Sequence, residues 1–271
     1  MAFSSISKLW IGVILFIVCF KTGYSQINDT LLNYVIPNNQ LKIGVSPTLY
    51  QGLKLTYEGE ELLQSSLAPS IDIGIGYCQH IKSNWGVILE LHWCIVPLKE
   101  NFNVYIPDYY NKFQENFTHQ GSDVATQIAY FPISLQKIFH LKKNHFFSLN
   151  TEIGTTINYV HPYEGRITVE YALDSTFSNS VEVFKMTLSN YQPWHIGYFA
   201  KIGLLKMTKK ANSSFGLNFL VHYAPKPIGT GIYTFSNISS KSSGTVKLNL
   251  NYIGLEFVYG LTTSKKTVML E

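Results

Sequence analysis

Eight stretches of this chain alternate apolar and polar residues, and the connections between them are alternately short and long. In residues 147–159, Phe147, Leu149, Ile153, Ile157 and Tyr159 share one parity, while Ser148, Asn150, Glu152, Gly154, Thr156 and Asn158 share the other. Strand side chains point to opposite faces with period two, so such a stretch reads as a strand with one apolar and one polar face. Eight of them in series predict an all-β fold, an eight-stranded antiparallel up-and-down β-barrel. With the apolar face turned outward, that barrel is a transmembrane one.

The start of the chain agrees with an exported protein. Residues 1–25 read as a cleaved signal peptide: Lys8 precedes an apolar run over 9–20, and Gly23-Tyr24-Ser25 forms a small-x-small cleavage site. That run is too short for a comfortable membrane helix. Residues 26–39 are a polar periplasmic lead, 40–261 the outer-membrane barrel and 262–271 a C-terminal tail. Loss of the signal, with Lys8 and Lys21, lowers the formal charge from +4 to near +2, and Arg166 is the single arginine. Nothing there resembles a nucleic-acid surface.

The strands are expected at residues 41–50, 70–80, 85–95, 124–141, 147–159, 194–204, 215–223 and 245–261. Short turns fall at 82–84, 142–144 and 209–213. Long loops fall between 50 and 68 and over 97–122, 161–192 and 225–244. Outer-membrane barrels have short periplasmic turns and longer external loops, so both termini are expected in the periplasm. Pro132 cannot donate to a ladder and predicts a bulge or local break. The apolar parity switches between Tyr252 and Ile253, which a bulge explains, or a strand that rises above the membrane before the switch. Pairing about Ser83 sets Cys78 opposite Ile88 and Cys94 opposite Asp72. The sulfurs are then roughly 20 Å apart at about 3.3 Å per residue, so free thiols are expected.

A soluble lipocalin-like carrier also has eight strands, but its apolar face points inward. Here Gly44, Gly74, Gly76, Gly86, Gly154, Gly197, Gly203, Gly216 and Gly254 all fall opposite the apolar stripe. A crowded lumen uses small residues between long ones, whereas a wet strand surface carries Lys, Glu and Thr. Tyr77, Trp85, Trp93, Tyr159, Trp194, Tyr223 and Tyr259 near strand ends fit interfacial aromatic girdles.

Two segments carry a resemblance. Tyr130-Phe131-Pro132-Ile133-Ser134-Leu135-Gln136-Lys137 looks like the "YLxIPLLLKY" strand of the porin-like, PorT-like outer-membrane β-barrel family of Bacteroidetes, with Gln136 breaking the run. Tyr252, Gly254, Phe257 and Tyr259 are similar to the signal read by the barrel-assembly machinery. The resemblance covers roughly residues 41–261. It implies an integral outer-membrane location, contact with outer-membrane lipid, and the assembly machinery as a partner during biogenesis.

The expected lumen face carries Lys42, Asp72, Glu90, His92, Glu152, His195, Lys201, His222 and Glu256. Such a set reads as an ion-pair network that fills the barrel, or as a proton or ion path. No catalytic, cofactor or metal set is expected: HExxH, CxxC, Walker and GxSxG patterns are absent from the sequence. His119 and His161 lie in the expected outer loops with no serine at fixed spacing, so an outer-membrane lipid-modifying enzyme is the rival reading. Tyr105, Tyr109 and Tyr110 form an aromatic cluster in the second long loop, a candidate binding surface. The expected function is non-catalytic: surface binding, envelope structure or an accessory part in a secretion machine, with envelope or secretion-complex proteins as candidate partners.

Overall fold

The computed structural model describes residues 39–82, 84–107, 115–140, 147–173, 179–208 and 212–264. The signal peptide, most of the lead, Tyr109, Tyr110 and most of the tail lie outside them. The strands are β1 (Asn39–Tyr50), β2 (Lys54–Gly59), β3 (Gln64–Ser65), β4 (Ala68–Lys82), β5 (Trp85–Ile106), β6 (Glu115–His140) and β7 (Phe147–Val160). After these come β8 (Tyr163–Ala172), β9 (Ser180–Asn190), β10 (Trp194–Met207), β11 (Ser213–Tyr223), β12 (Gly229–Phe235), β13 (Ser242–Leu248) and β14 (Tyr252–Ser264).

Eight of them close the expected antiparallel barrel, in the order β1-β4-β5-β6-β7-β10-β11-β14. The closing seam pairs Ile43 with Tyr259 and Val45 with Phe257, which leaves this tier no free sheet edge. The first hairpin has the expected register, with Cys78 opposite Ile88 and Cys94 opposite Asp72, and both cysteines are free and buried. The apolar stripe faces outward: Ile73, Leu89, Ile133, Ile153, Ile196, Leu217 and Phe257 are all exposed on the wall. The glycines make room inside. A Cβ on Gly76 would stand 2.6 Å from Glu90 Cγ, and one on Gly197 2.6 Å from His222 Nε2.

All four of the expected long loops contain strands. β2, β13, β12, β9 and β8 form a second sheet in that order, which is the order of the barrel strands β1, β14, β11, β10 and β7 that they continue. Short breaks at 51–53, 249–251, 224–228, 191–193 and 161–162 separate each pair. β5 and β6 run on without a break, paired as far as Ile106 and Glu115. The wall therefore has two tiers joined at a neck.

The faces exchange character at the neck. Along β5 the even residues point inward throughout. Inside, Gly86, Glu90, His92 and Cys94, with Ile88 among them, give way to Val96, Leu98, Phe102, Val104 and Ile106, with Glu100 as the buried exception. Outside, Trp85, Leu89, Leu91 and Trp93 give way to Lys99, Asn101 and Asn103. The outer tier thus has a polar exterior and an apolar interior. Phe102 packs 5.0 Å from both Phe184 and Phe235, and Phe117 lies 5.5 Å from Tyr171. Val183, Phe184, Met186, Ile228, Tyr233, Val246 and Leu248 are fully buried in the same cluster.

Two local expectations resolve to one of their two alternatives, a break at Pro132 and a continuing strand at Tyr252, and in neither case to a bulge. The eighth strand is two strands in two sheets. The even residues from Ser242 to Glu256 stay inward across the break, so no bulge flips them; their chemistry changes at Tyr252 because the surroundings do. Pro132 makes no bulge either. It stays in register with Thr156, and only its ladder to β5 is interrupted, between Leu89↔Ile133 and His92↔Tyr130. The bulge of β6 lies opposite Val96 and Pro97, where Thr126 and Val124 are the successive partners. That extra residue turns Phe117 and His119, rather than the even positions, toward the outer-tier core.

Candidate functional site

The lumen of the lower tier is lined from every wall strand, because the alternation turns one parity of each strand inward, mostly polar residues and glycines with a few apolar ones such as Ile88, Ile138 and Leu205. Lys201 on β10 is the hub. Its Nζ lies 2.7 Å from Glu256 Oε1, 3.1 Å from Glu90 Oε2 and 3.5 Å from Glu152 Oε1. Glu256 also accepts from Asn218 Nδ2 at 2.7 Å, and Glu152 from Ser134 Oγ at 2.7 Å. An amide chain extends the network: Gln136 donates to Asn150 at 2.8 Å, and Asn150 to Asn218 at 3.2 Å.

His92 links this hub to the neck. Its Nδ1 lies 2.8 Å from Asp72 Oδ1 and its Nε2 3.3 Å from Glu90 Oε2. The ring is stacked on Tyr130 at 4.9 Å. Tyr252 donates to Tyr130 at 3.1 Å, and Tyr50 to Cys94 Sγ at 3.1 Å. These tyrosines form the boundary layer, with hydroxyls turned to the polar lumen and rings in the outer-tier core. An unpaired buried hydroxyl is costly, so the layer belongs where polar and apolar interiors meet.

Six of the nine expected lumen residues are therefore joined: Asp72, Glu90, His92, Glu152, Lys201 and Glu256. The other three are inside but apart. His222 contacts Thr156 Oγ1 at 2.9 Å and the Leu250 carbonyl at 2.5 Å, and stacks on Tyr252 at 4.6 Å. His195 donates to the Gln192 carbonyl at 2.7 Å. Lys42 is buried and makes no ion pair within 4.0 Å among the described residues. Sequence reading missed Ser134, Gln136, Asn150 and Asn218 as members. They are uncharged, but they share the inward parity, and that was the available signal.

The chemistry open to this arrangement is narrow. Glu90, His92 and Glu256 bring ligand atoms within 4.8 Å of one another, yet the Lys201 ammonium stands between the two glutamates as their cation. Thr156 and His222 have the spacing of a nucleophile and base. The adjoining cavity, lined by Thr156, His222, Lys201, Tyr130, Phe199 and Tyr252, measures about 10 Å³, room for one water. A small-molecule site needs hundreds of Å³. Above the tyrosine layer the interior is mostly apolar, with the buried Glu100 3.7 Å from His119 as its ion pair among the described residues.

The four residues of the expected assembly signal split between faces. Tyr252 and Gly254 are inward, whereas Phe257 is exposed on the wall and Tyr259 packs against Phe215 at 4.9 Å. Tyr105 is not in a loop: it sits on β5 opposite Asn116. Tyr109 and Tyr110 lie outside the described residues.

The fold defines a class, the closed eight-stranded up-and-down β-barrel with its apolar face outward. No protein-family model matches the chain, and no curated protein matches it in sequence. Solved structures do. The outer membrane protein OprG from Pseudomonas aeruginosa is 13% identical, with 86% of this chain and 100% of that one covered and a TM-score of 0.44. Neisserial surface protein A is 7% identical, covering 83% and 97%, with a TM-score of 0.40. The attachment invasion locus protein Ail of Yersinia pestis is 12% identical, covering 82% and 99%, with a TM-score of 0.31. The likeness is one of overall fold.

Proposed function

We propose that this chain is an integral outer-membrane protein whose lower tier crosses the bilayer and whose outer tier is a water-exposed β-structure for surface binding or envelope organisation. The observation that carries this reading is the exchange of faces along unbroken β5. An exposed apolar wall around a polar filled lumen suits lipid outside, and the opposite arrangement above the neck suits water outside. The lumen network then acts as filler and staple, and the protein is non-catalytic. The chain-terminal ends of the closing strands, Asn39 and Ser264, lie with the short connections on the periplasmic side. Residues 130–137 and 252–259 support placement among the PorT-like barrels of Bacteroidetes, with the last strand read by the barrel-assembly machinery and an envelope or secretion complex as partner.

Epitope insertion tests the orientation. A tag between Asp174 and Ser178 should be reached by antibody on intact cells, and one beside Lys143 only after permeabilisation. Labelling at Lys143 on intact cells inverts the topology and removes the outer tier from the surface.

A further inference from the structure

Three oxygens at the foot of the tyrosine layer have no hydrogen-bond partner among the described residues: Ser46 Oγ, Thr48 Oγ1 and Asp72 Oδ2. The three residues are at most 2% exposed. The fold brings them to one patch of the lumen wall. Ser46 on β1 stands directly opposite Asp72 on β4, and residues so paired on one face have Cβ atoms about 4.5–5.5 Å apart. Thr48 is the next inward residue of β1, roughly 7 Å along the strand. On the other side of β1, the seam that pairs Val45 with Phe257 and Thr48 with Gly254 sets Glu256 beside Ser46. A buried polar atom with no protein partner marks a place for a bound water or ion.

Charge decides between the two. The carboxylates of Asp72, Glu90, Glu152 and Glu256 face this lumen, and Lys42, Lys201 and His92 stand against them. His92 meets a carboxylate at each ring nitrogen, Asp72 at one and Glu90 at the other, so both nitrogens carry protons and the ring is a cation. His222 lies between a carbonyl and a hydroxyl, and His195 donates to a carbonyl; both serve as neutral rings. One negative charge is left over among the described lumen residues. Water would satisfy the two hydroxyls and leave that charge, whereas buried charges are paired or bound to a metal. From this we infer that Ser46, Thr48 and Asp72 hold a monovalent metal cation, bound through oxygen as hard cations are. Lys201 serves Glu90, Glu152 and Glu256 from β10. The ion serves the opposite wall, where Ser46 sits between Asp72 and Glu256 and Asp72 has an oxygen to spare. The surplus of one sets its charge. The site gives the lumen a ligand beyond its role as filler, and it does not depend on the membrane reading.

The test uses the full chain refolded in detergent micelles, with Na⁺ as the probe. Urea unfolding is followed as NaCl replaces choline chloride at constant ionic strength, choline being too large for a filled lumen. Once Na⁺ exceeds its dissociation constant, each tenfold increase should raise the folding equilibrium constant about tenfold. Asp72→Asn should abolish this dependence, and so should Ser46→Ala with Thr48→Val, whatever either does to stability itself. If Asp72→Asn does not fold, the hydroxyl pair decides. Ser134→Ala removes an inward hydroxyl that already has a partner in Glu152, and it should keep the full dependence. No response to Na⁺ in the wild type overturns the site. So does a response that survives the loss of both hydroxyls or of the Asp72 charge, and so does its loss in Ser134→Ala. The rival way to balance the charge is a proton. A carboxylic-acid carbonyl band in the infrared that Asp72→Asn removes, together with no response to Na⁺, replaces the ion with that proton.

Discussion

Lys201 is surrounded by three carboxylates from three different strands, and it is almost wholly buried. Removing one partner of a buried ion pair leaves uncompensated charge and costs about 3–5 kcal/mol. Lys201→Met should therefore destabilise the barrel by that order in denaturant unfolding from detergent. Glu256→Gln added to it should cost less than the sum of the two single changes, because the pair shares one network. Tyr163, in the outer tier, offers a pH-dependent counterpart. Its hydroxyl is buried without a hydrogen-bond partner among the described residues. Burial pushes the phenol from its ordinary 10.0 up to about 12. The folded state thus holds the neutral phenol where the unfolded chain has already ionised. Its contribution is complete below about pH 10 and is lost as pH rises through about 12. Tyr163→Phe should flatten the fall in stability over that window and leave stability at pH 8 equal or higher. Denaturation midpoints at pH 8 and 11.5, compared between the two proteins, read this directly.

Among elements, β5 carries most of the architecture. Positions 89 and 103 lie on the same outward face of one strand. Leu89→Arg should cost about 2–4 kcal/mol when the protein is refolded into vesicles, the cost of a cation facing lipid at depth. Asn103→Arg should stay within about 0.5 kcal/mol, as for an ordinary wet surface. Equal effects at both sites would remove the difference between the tiers. The same strand shows what was legible in the sequence. Apolar residues at odd positions from Trp85 to Ile95 marked a strand. From Val96 to Ile106 the apolar residues sit at even positions, an equally clear alternation in the opposite phase, yet the segment read as loop. Period two was visible throughout; what was not visible is that inside and outside could trade chemistry without any break in the strand. At residues 245–261 the exchange showed as a parity switch, and a strand rising above the membrane, one of its two expected causes, agrees with the continuation into the second sheet. The lumen charges were legible one by one from parity. Which of them meet was not, because Lys201 reaches its partners across the lumen, from strands 55 and 111 residues away in the chain.

For the whole molecule, closure and filling act together. Eight strands leave an interior that side chains can fill, and here they fill it with two materials. Ion pairs and amides occupy the lower tier, and aromatic and aliphatic side chains the upper one, with Tyr50, Tyr130 and Tyr252 at the boundary. The polar half has a wall that lipid can surround, and the apolar half is a water-facing core of ordinary kind. On the proposed membrane reading, each tier solves the burial problem for a different solvent, and the neck marks where the solvents meet. Spin labels test this most directly. In a background of Cys19→Ala, Cys78→Ala and Cys94→Ala, single cysteines at positions 89, 91, 101 and 103 are labelled and the protein is reconstituted in vesicles. Collision rates with oxygen and with a water-soluble nickel complex then give the depth of each. Labels at 89 and 91 should meet oxygen and exclude nickel, and those at 101 and 103 should do the reverse. Nickel access at 89 and 91, or oxygen-dominated collisions at 101 and 103, would contradict the two-tier account.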